Sequence, residues 1–290
     1  LINVGERIIE IAVAMVKDIA LNILLRQSML ISSLQNPRVK EAVALRERRA
    51  REKSGLMLVE GYHELALAVR TGLVPTTVFY CPERLRREEA ELLEHFRSTR
   101  TPLLEVTMAV LGKMAYREHP DAWLAIAPIP RRSLSELELP ERALVVVAES
   151  IEKPGNLGAI LRSADAAGAD ALILCDRATD LYNPNVVRAS KGTIFRVPVV
   201  EATSPATLEF LRQRGIFVAA ATPAGTSTYW DVDLQGSVAI AVGTEKEGLS
   251  SLWMEGADAR VTVPMCGAVN SLNVAQALTL LLFEARRQRR

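Results

Sequence analysis

ALVVVAESIEKPGNLGAILRSADAAGADALILC, residues 143–175, decides the fold. An unbroken aliphatic run at 144–148 gives way to Pro154 and Gly155, then to a helical stretch, then to a second aliphatic run at 171–174. A strand without polar alternation is buried on both faces, which is the habit of a parallel sheet covered by helices. Further runs at 195–200, 216–221 and 238–242, and another near 260–264, repeat the pattern, with helical stretches between most of them. The predicted class is α/β, with a parallel sheet over residues 143–290.

Upstream of this unit, PIPRRSLSELELPER at 128–142 holds three prolines and few aliphatic residues, so 129–142 reads as a linker. Residues 30–128 read as a smaller α/β domain. Its stretch 36–53 is predicted helical and strongly basic: seven cations (Arg38, Lys40, Arg46, Arg48, Arg49, Arg51, Lys53) stand against Glu41, Glu47 and Glu52. LMLVE, TTVFY, LLEV and AWLAIA read as short strands, HELALAVRTG as a helix closed by Gly72, and roughly 84–97 as a charged helix.

Composition bounds the function. The chain has 290 residues, 49% hydrophobic and 24% charged, which supplies two cores and excludes a disordered chain. Net charge is only +1, so any nucleic-acid contact has to come from local patches. Cys81, Cys175 and Cys266 form no CxxC spacing, and His63, His95 and His119 are scattered, so no metal is expected and a reducing, cytoplasmic setting fits. Residues 1–29 read as an N-terminal extension ahead of a more coherent sequence, or as an extra amphipathic helix. Glu6, Arg7, Glu10, Lys17 and Asp18 interrupt its apolar runs, so it matches neither a membrane span nor a signal peptide.

Three segments carry the chemistry: EKPGNLGAILRSADAAGAD after the first strand, AVGTEKEGLS after a late strand, and VPMCGAVNSLNVAQAL at the head of the last helix. None is a GK[ST] phosphate loop, a GxGxxG fingerprint or a GxSxG elbow, which disfavours nucleotide hydrolysis, nicotinamide chemistry and serine hydrolysis. Each alone also reads as ordinary structure. Asn156 could cap a helix that exposes Arg162, Gly243–Gly248 could be a plain strand–turn–helix link, and Ser271 or Asn273 could cap the last helix. The GTEKEGL loop does follow a buried strand at its C-terminal end, where α/β sheets bind ligands.

In order, NLGAILRSADAAG, GTEKEGL and VPMCGAVNSLNVAQAL resemble the motifs of the SpoU/TrmH family of RNA ribose 2′-O-methyltransferases, within the SPOUT superfamily. SSLQNPRVKEAVALRERRAREKSGLMLVEG resembles the start of that family's substrate-binding domain, so the likeness runs from about residue 30 onward. One departure is Asn270, which stands where many members carry a carboxylate.

The resemblance implies a deep trefoil knot in the C-terminal part, with S-adenosyl-L-methionine bound in it. It places Thr222, Gly243, Glu245, Gly248, Val263, Met265, Ser271 and Leu272 around the cofactor. It carries the reactive roles to Asn156, Arg162, Glu245, Ser271 and Asn273. A guanidinium is a poor general base, so Arg162 is expected to grip a phosphate and steady a developing alkoxide. Arg38, Lys40, Arg46, Arg49, Arg188 and Lys191 are expected to face RNA, with Ser190 beside the last two. A homodimer through the knot region is implied, with no membrane or metal partner. The presence of an N-terminal domain favours ribosomal RNA over transfer RNA. A transfer-RNA enzyme and a non-catalytic RNA-binding protein of the same fold stand as the alternatives.

Overall fold

A computed structural model of the protein describes residues 30–290, and the N-terminal extension lies outside the described residues. β1 (Leu56–Glu60), β2 (Thr77–Tyr80), β3 (Leu103–Glu105) and β4 (Trp123–Pro128) form one sheet in the order β1-β4-β2-β3. β4 runs antiparallel to both of its neighbours, and β2 and β3 are parallel.

β5 (Leu144–Glu149), β6 (Ala171–Cys175), β7 (Val199–Ala202), β8 (Phe217–Ala221), β9 (Ser227–Thr228), β10 (Val238–Val242) and β11 (Ala259–Thr262) form the second sheet. Its order is β7-β6-β5-β10-β8-β11-β9, and every pairing is parallel. The unbroken aliphatic runs are explained by burial on two faces. Leu144, Val146 and Ala148 of β5 join a core with Leu157, Leu161, Leu278 and Leu282, from the Pro154–Ala167 and Val274–Gln288 helices. Val145 and Val147 join the opposite core with Leu208, Leu211 and Trp253. Each of these Val and Leu side chains contributes about 1.5–3 kcal/mol when fully buried.

The chain winds outward from β5 through β6 to β7, then returns past β5 to β8 and inserts β10 between them. The direction therefore reverses at the β5/β10 boundary. Open α/β sheets bind ligands at such a point, beyond the C-terminal strand ends.

The structure corrects several local expectations. The basic stretch 36–53 is two helices, Pro37–Ala44 and Arg48–Ser54, with Glu47 extended between them. The break is held by Arg51, whose Nη1 donates to the carbonyls of Leu45 and Arg46 at 2.7 Å each. The charged helix begins only at Ala90, after two 3-10 turns. There the buried Glu89 carboxylate accepts from Arg86 N at 3.3 Å and from Trp123 Nε1 at 3.0 Å, fixing the turn. The helix Met108–Met114, capped by Thr107, carried no clear sequence signal. β7 starts at Val199 because a 3-10 turn over Thr193–Phe195 and Pro198 precede it.

The two sheets are joined by charge as well as by packing. Arg51, on the second basic helix, ion-pairs with Asp180 in the segment after β6, and Arg177 Nη2 reaches Glu52 at 3.1 Å. Tyr182 OH donates to the linker carbonyl of Pro130 at 2.7 Å. Among the described residues no helix is long and apolar enough to cross a membrane.

Candidate active site

β10, β8 and β11 are direct neighbours in parallel register, so the loops beginning at Gly243, Thr222 and Val263 leave the sheet side by side. The β10 loop is closed on itself. Thr244 N donates to Gly248 O at 2.9 Å, and Gly248 N returns a bond to Thr244 O at 3.1 Å. A Cβ on Gly243 would lie 2.1 Å from Gly248 O, so only glycine permits this closure. Gly248 itself has φ +72°, the left-handed region. The closed turn lifts Glu245 out beyond the strand end.

Behind the turn stands Glu149, buried at the end of β5. Its carboxylate accepts from Ser250 N at 2.7 Å, Ser250 Oγ at 2.6 Å and Ser204 Oγ at 3.2 Å. It thereby pins the exit of the β10 loop to the two helices beneath. Sequence reasoning missed it, because its partners lie 101 and 55 residues away.

Glu245 is the centre of a convergent cluster. Asn156 Nδ2 donates to its Oε1, and Asn273 Nδ2 donates to the same oxygen at 3.2 Å. Asn273 Nδ2 also donates to Asn156 Oδ1 at 3.1 Å, so both carboxamides and the carboxylate touch. Lys153 Nζ ion-pairs with Glu245 Oε2. Bonds from Lys153 and then Asn156 hold the Glu245 carboxyl below the usual carboxylate range. This is an anchoring carboxylate, with both oxygens engaged by donors. Lys153 is a member that sequence reasoning did not name; nothing local tells it from the neighbouring Lys246.

Asn156 does not cap its helix. Pro154 occupies the first turn, the capping position is Lys153 with no side-chain bond, and Asn156 spends its amide on Glu245 and Asn273. Asn273 does cap: its Oδ1 accepts from Ala275 N at 3.0 Å. Ser271 makes no hydrogen bond to the cluster among the described residues; its Oγ lies 3.5 Å from Asn270 Oδ1. Arg162 is exposed and makes no hydrogen bond or ion pair among the described residues. It lies one helical turn beyond Gly158, whose added Cβ would meet Ala189 Cβ at 2.3 Å and Ser190 N at 2.9 Å. The Pro154–Ala167 helix is therefore seated directly on the Pro184–Ala189 helix.

The other expected cofactor positions lie on the neighbouring loops. Thr222 is half-buried, with its N donating to Val261 O at 2.9 Å and its Oγ1 accepting from Ala224 N at 3.3 Å. Val263, Met265 and Leu272 are half-buried and offer apolar side chains, while Ser271 is exposed.

Arg38, Lys40, Arg46, Arg49, Arg188 and Lys191 are all exposed. Two companions are not. Arg51 is 2% exposed and committed to Asp180. Ser190 is fully buried, and its hydroxyl donates to Val187 O at 2.8 Å. The surface cations are thus fewer than the sequence count suggests. Among the described residues no three His, Cys, Asp or Glu side chains are placed to hold a metal ion.

Comparison with known proteins identifies the relatives of both parts of the chain. The SpoU rRNA methylase family model matches residues 143–283, and the MRM3-like substrate binding domain model matches residues 36–125. The 23S rRNA (uridine(2479)-2′-O)-methyltransferase of Streptomyces viridochromogenes is 34% identical over 255 residues, covering 84% of this chain and 87% of that protein. The 23S rRNA (guanosine(2553)-2′-O)-methyltransferase RlmP of Bacillus subtilis is 30% identical over 264 residues, covering 88% and 98%. A crystal structure of an RNA 2′-O ribose methyltransferase superposes with a TM-score of 0.80 at 41% identity, over 90% of this chain and 99% of that one. The SpoU methyltransferase AviRb of Streptomyces viridochromogenes, in complex with the cofactor AdoMet, gives 0.80 at 33% identity over 88% and 98%.

Proposed function

The chain belongs to the SpoU rRNA methylase family, and from that membership we propose that it methylates a ribose 2′-hydroxyl of ribosomal RNA with S-adenosyl-L-methionine. The observation that carries the reading is the Asn156–Glu245–Asn273 cluster, set at the point where the sheet reverses direction, with the unpaired Arg162 on the same helix as Asn156. Ribosomal RNA is preferred over transfer RNA because the relatives aligned over most of this chain are named for 23S rRNA.

The donor set suits the cofactor. The loops after β8, β10 and β11 offer main-chain groups at adjacent strand ends, and Val263, Met265 and Leu272 offer partly exposed apolar surface for a purine. Thr222, Gly243, Glu245, Gly248 and Ser271 complete the proposed pocket. When bound, S-adenosyl-L-methionine supplies an electrophilic methyl group on a sulfonium. The rest of the work falls to side chains. Glu245, fixed by Lys153, aligns Asn156 and Asn273. Arg162 grips the substrate phosphate and stabilises charge developing on the 2′-oxygen. Ser271 orients the ribose or the cofactor end.

The remaining assignments extend the same reading. Residues 30–128 select the RNA, 129–142 link, and 143–290 catalyse, with the C-terminal segment threaded as a trefoil knot. Arg38, Lys40, Arg46, Arg49, Arg188 and Lys191 contact RNA. Two copies pair through the knot region, a reading supported by the exposed Leu280 and Phe283 on the last helix. The three free thiols fit a reducing cytoplasm.

The test is transfer of a labelled methyl group to unmodified ribosomal RNA and, separately, transfer RNA, followed by nucleoside analysis. A 2′-O-methylated nucleoside from ribosomal RNA is expected. Label in transfer RNA alone would move the substrate, and label on a base would overturn the reaction. Loss of S-adenosyl-L-methionine binding altogether would favour a non-catalytic RNA-binding protein.

A further inference from the structure

We propose that Tyr116 is a base-stacking residue for the RNA substrate, set at the seam between the two sheets where cations from both sides converge. The inference rests on the RNA-methyltransferase reading above and adds a contact that none of the sequence motifs contains.

Tyr116 is 38% exposed, whereas Tyr80 and Tyr182 are buried in the cores. The residue is held through its main chain and through its phenol. Its main-chain N donates to Oε2 of the buried Glu60 at 2.7 Å, and the next amide, Arg117 N, donates to Glu60 Oε1 at 3.2 Å. Its phenol oxygen accepts from Asn185 Nδ2 at 3.0 Å, across the seam. An aromatic plate fixed in this way loses little conformational freedom when a base lies on it.

The surroundings suit a nucleotide. The Arg46 guanidinium lies 5.9 Å from the ring centroid. Arg188 Nη2 donates to Asn185 Oδ1 at 3.2 Å, so the amide that holds the phenol also holds an arginine. Arg46, Arg188, Lys191 and Arg162 make no ion pair among the described residues, while Arg48, Arg177, Arg196 and Arg287 are each matched to a carboxylate. Cations left without carboxylates are free to take phosphates, and the exposed Tyr116 ring, with Arg46 beside it and Arg188 linked to it through Asn185, supplies the face on which an unpaired base stacks. The seam also leads to the candidate active site. Arg188 belongs to the helix seated on Gly158, and Arg162 stands one turn further along.

The test measures binding of an unmodified 23S rRNA transcript by filter retention at several salt concentrations, for wild type, Tyr116→Ala, Tyr116→Phe and Arg188→Ala. Stacking is worth roughly 5- to 150-fold in affinity, so Tyr116→Ala is expected to weaken binding at least about fivefold with the salt slope unchanged. Tyr116→Phe keeps the ring and should stay within about threefold of wild type. Arg188→Ala should reduce the salt slope by about one. Melting curves and dialysis of labelled S-adenosyl-L-methionine should match wild type in all variants. Wild-type affinity in Tyr116→Ala, or an equal loss in Tyr116→Phe, would overturn the stacking role while leaving the enzyme reading intact. A wild-type chain that neither binds nor methylates RNA would take both down.

Discussion

Asn273 and Glu245, 28 residues apart, are joined by a carboxamide that does two tasks: Nδ2 donates to Glu245 Oε1 at 3.2 Å while Oδ1 caps the last helix through Ala275 N at 3.0 Å. The two tasks can be separated. Asn273→Asp keeps an oxygen for the cap, and a negative charge at a helix N-terminus is welcome. It removes the donor and sets a second carboxylate against Glu245. We expect thermal stability within a degree or two of wild type and a loss of about tenfold to a hundredfold in kcat/KM for methyl transfer. Asn273→Ala should in addition cost about 1 kcal/mol of stability through the lost cap. Full activity in Asn273→Asp would show the cap to be its only task.

Lys153 sets the ionisation of Glu245. A carboxyl held below its ordinary range contributes stability above its unfolded value and loses it only as pH falls through the lower, folded one. The cluster should therefore persist through the usual carboxylate range in wild type. In Lys153→Ala the Glu245 titration, followed by its carboxyl carbon resonance, should move up toward the ordinary value. The acid limb of the activity profile should move with it. An unmoved titration would mean that the ion pair contributes nothing in solution.

Much of this was legible in the sequence because strands buried on both faces leave continuous runs, as at 144–148 and 238–242, and a parallel sheet follows. Residues read as catalytic met in space: Asn156, Glu245 and Asn273 touch. What was not legible depends on distant partners. The break in the basic stretch comes from Arg51 turning inward to Asp180, 129 residues away. The sequence leaves open whether Asn156 caps its helix, and only its bonds to Glu245 and Asn273, 89 and 117 residues away, decide against the cap. Ser190 sat among surface cations in sequence but packs beneath Gly158 in the fold.

Arg51 is a structural cation within the basic stretch. Its guanidinium is nearly fully buried, Nε meets Asp180 Oδ2 at 3.1 Å, and Nη1 satisfies two turn carbonyls. Arg51→Met leaves Asp180 and both carbonyls without their donor. Breaking a buried pair from one side costs about 3–5 kcal/mol, which urea unfolding would register. The salt slope of RNA binding by the folded variant should match wild type, whereas Arg49→Ala, exposed on the same helix, should lower it by about one. A reduced slope in Arg51→Met would return that residue to the RNA surface.

Cys266 offers a direct check on the proposed cofactor loop. Cys81 and Cys175 are fully buried; burial raises both thiols, that of Cys175 to about 12. Cys266 is exposed and adjoins Met265. At pH 8 a disulfide reagent such as dithiobis(nitrobenzoate) should react quickly with one thiol per folded chain, and Cys266→Ser should abolish that phase. Access favours this site, and burial holds the other two thiols protonated. If the loop closes over the cofactor, saturating S-adenosyl-L-methionine should slow the fast phase several-fold. A rate unchanged under demonstrated saturation would mean that Met265 and its neighbours lie away from the cofactor, and the pocket would have to be drawn from the β8 and β10 loops alone.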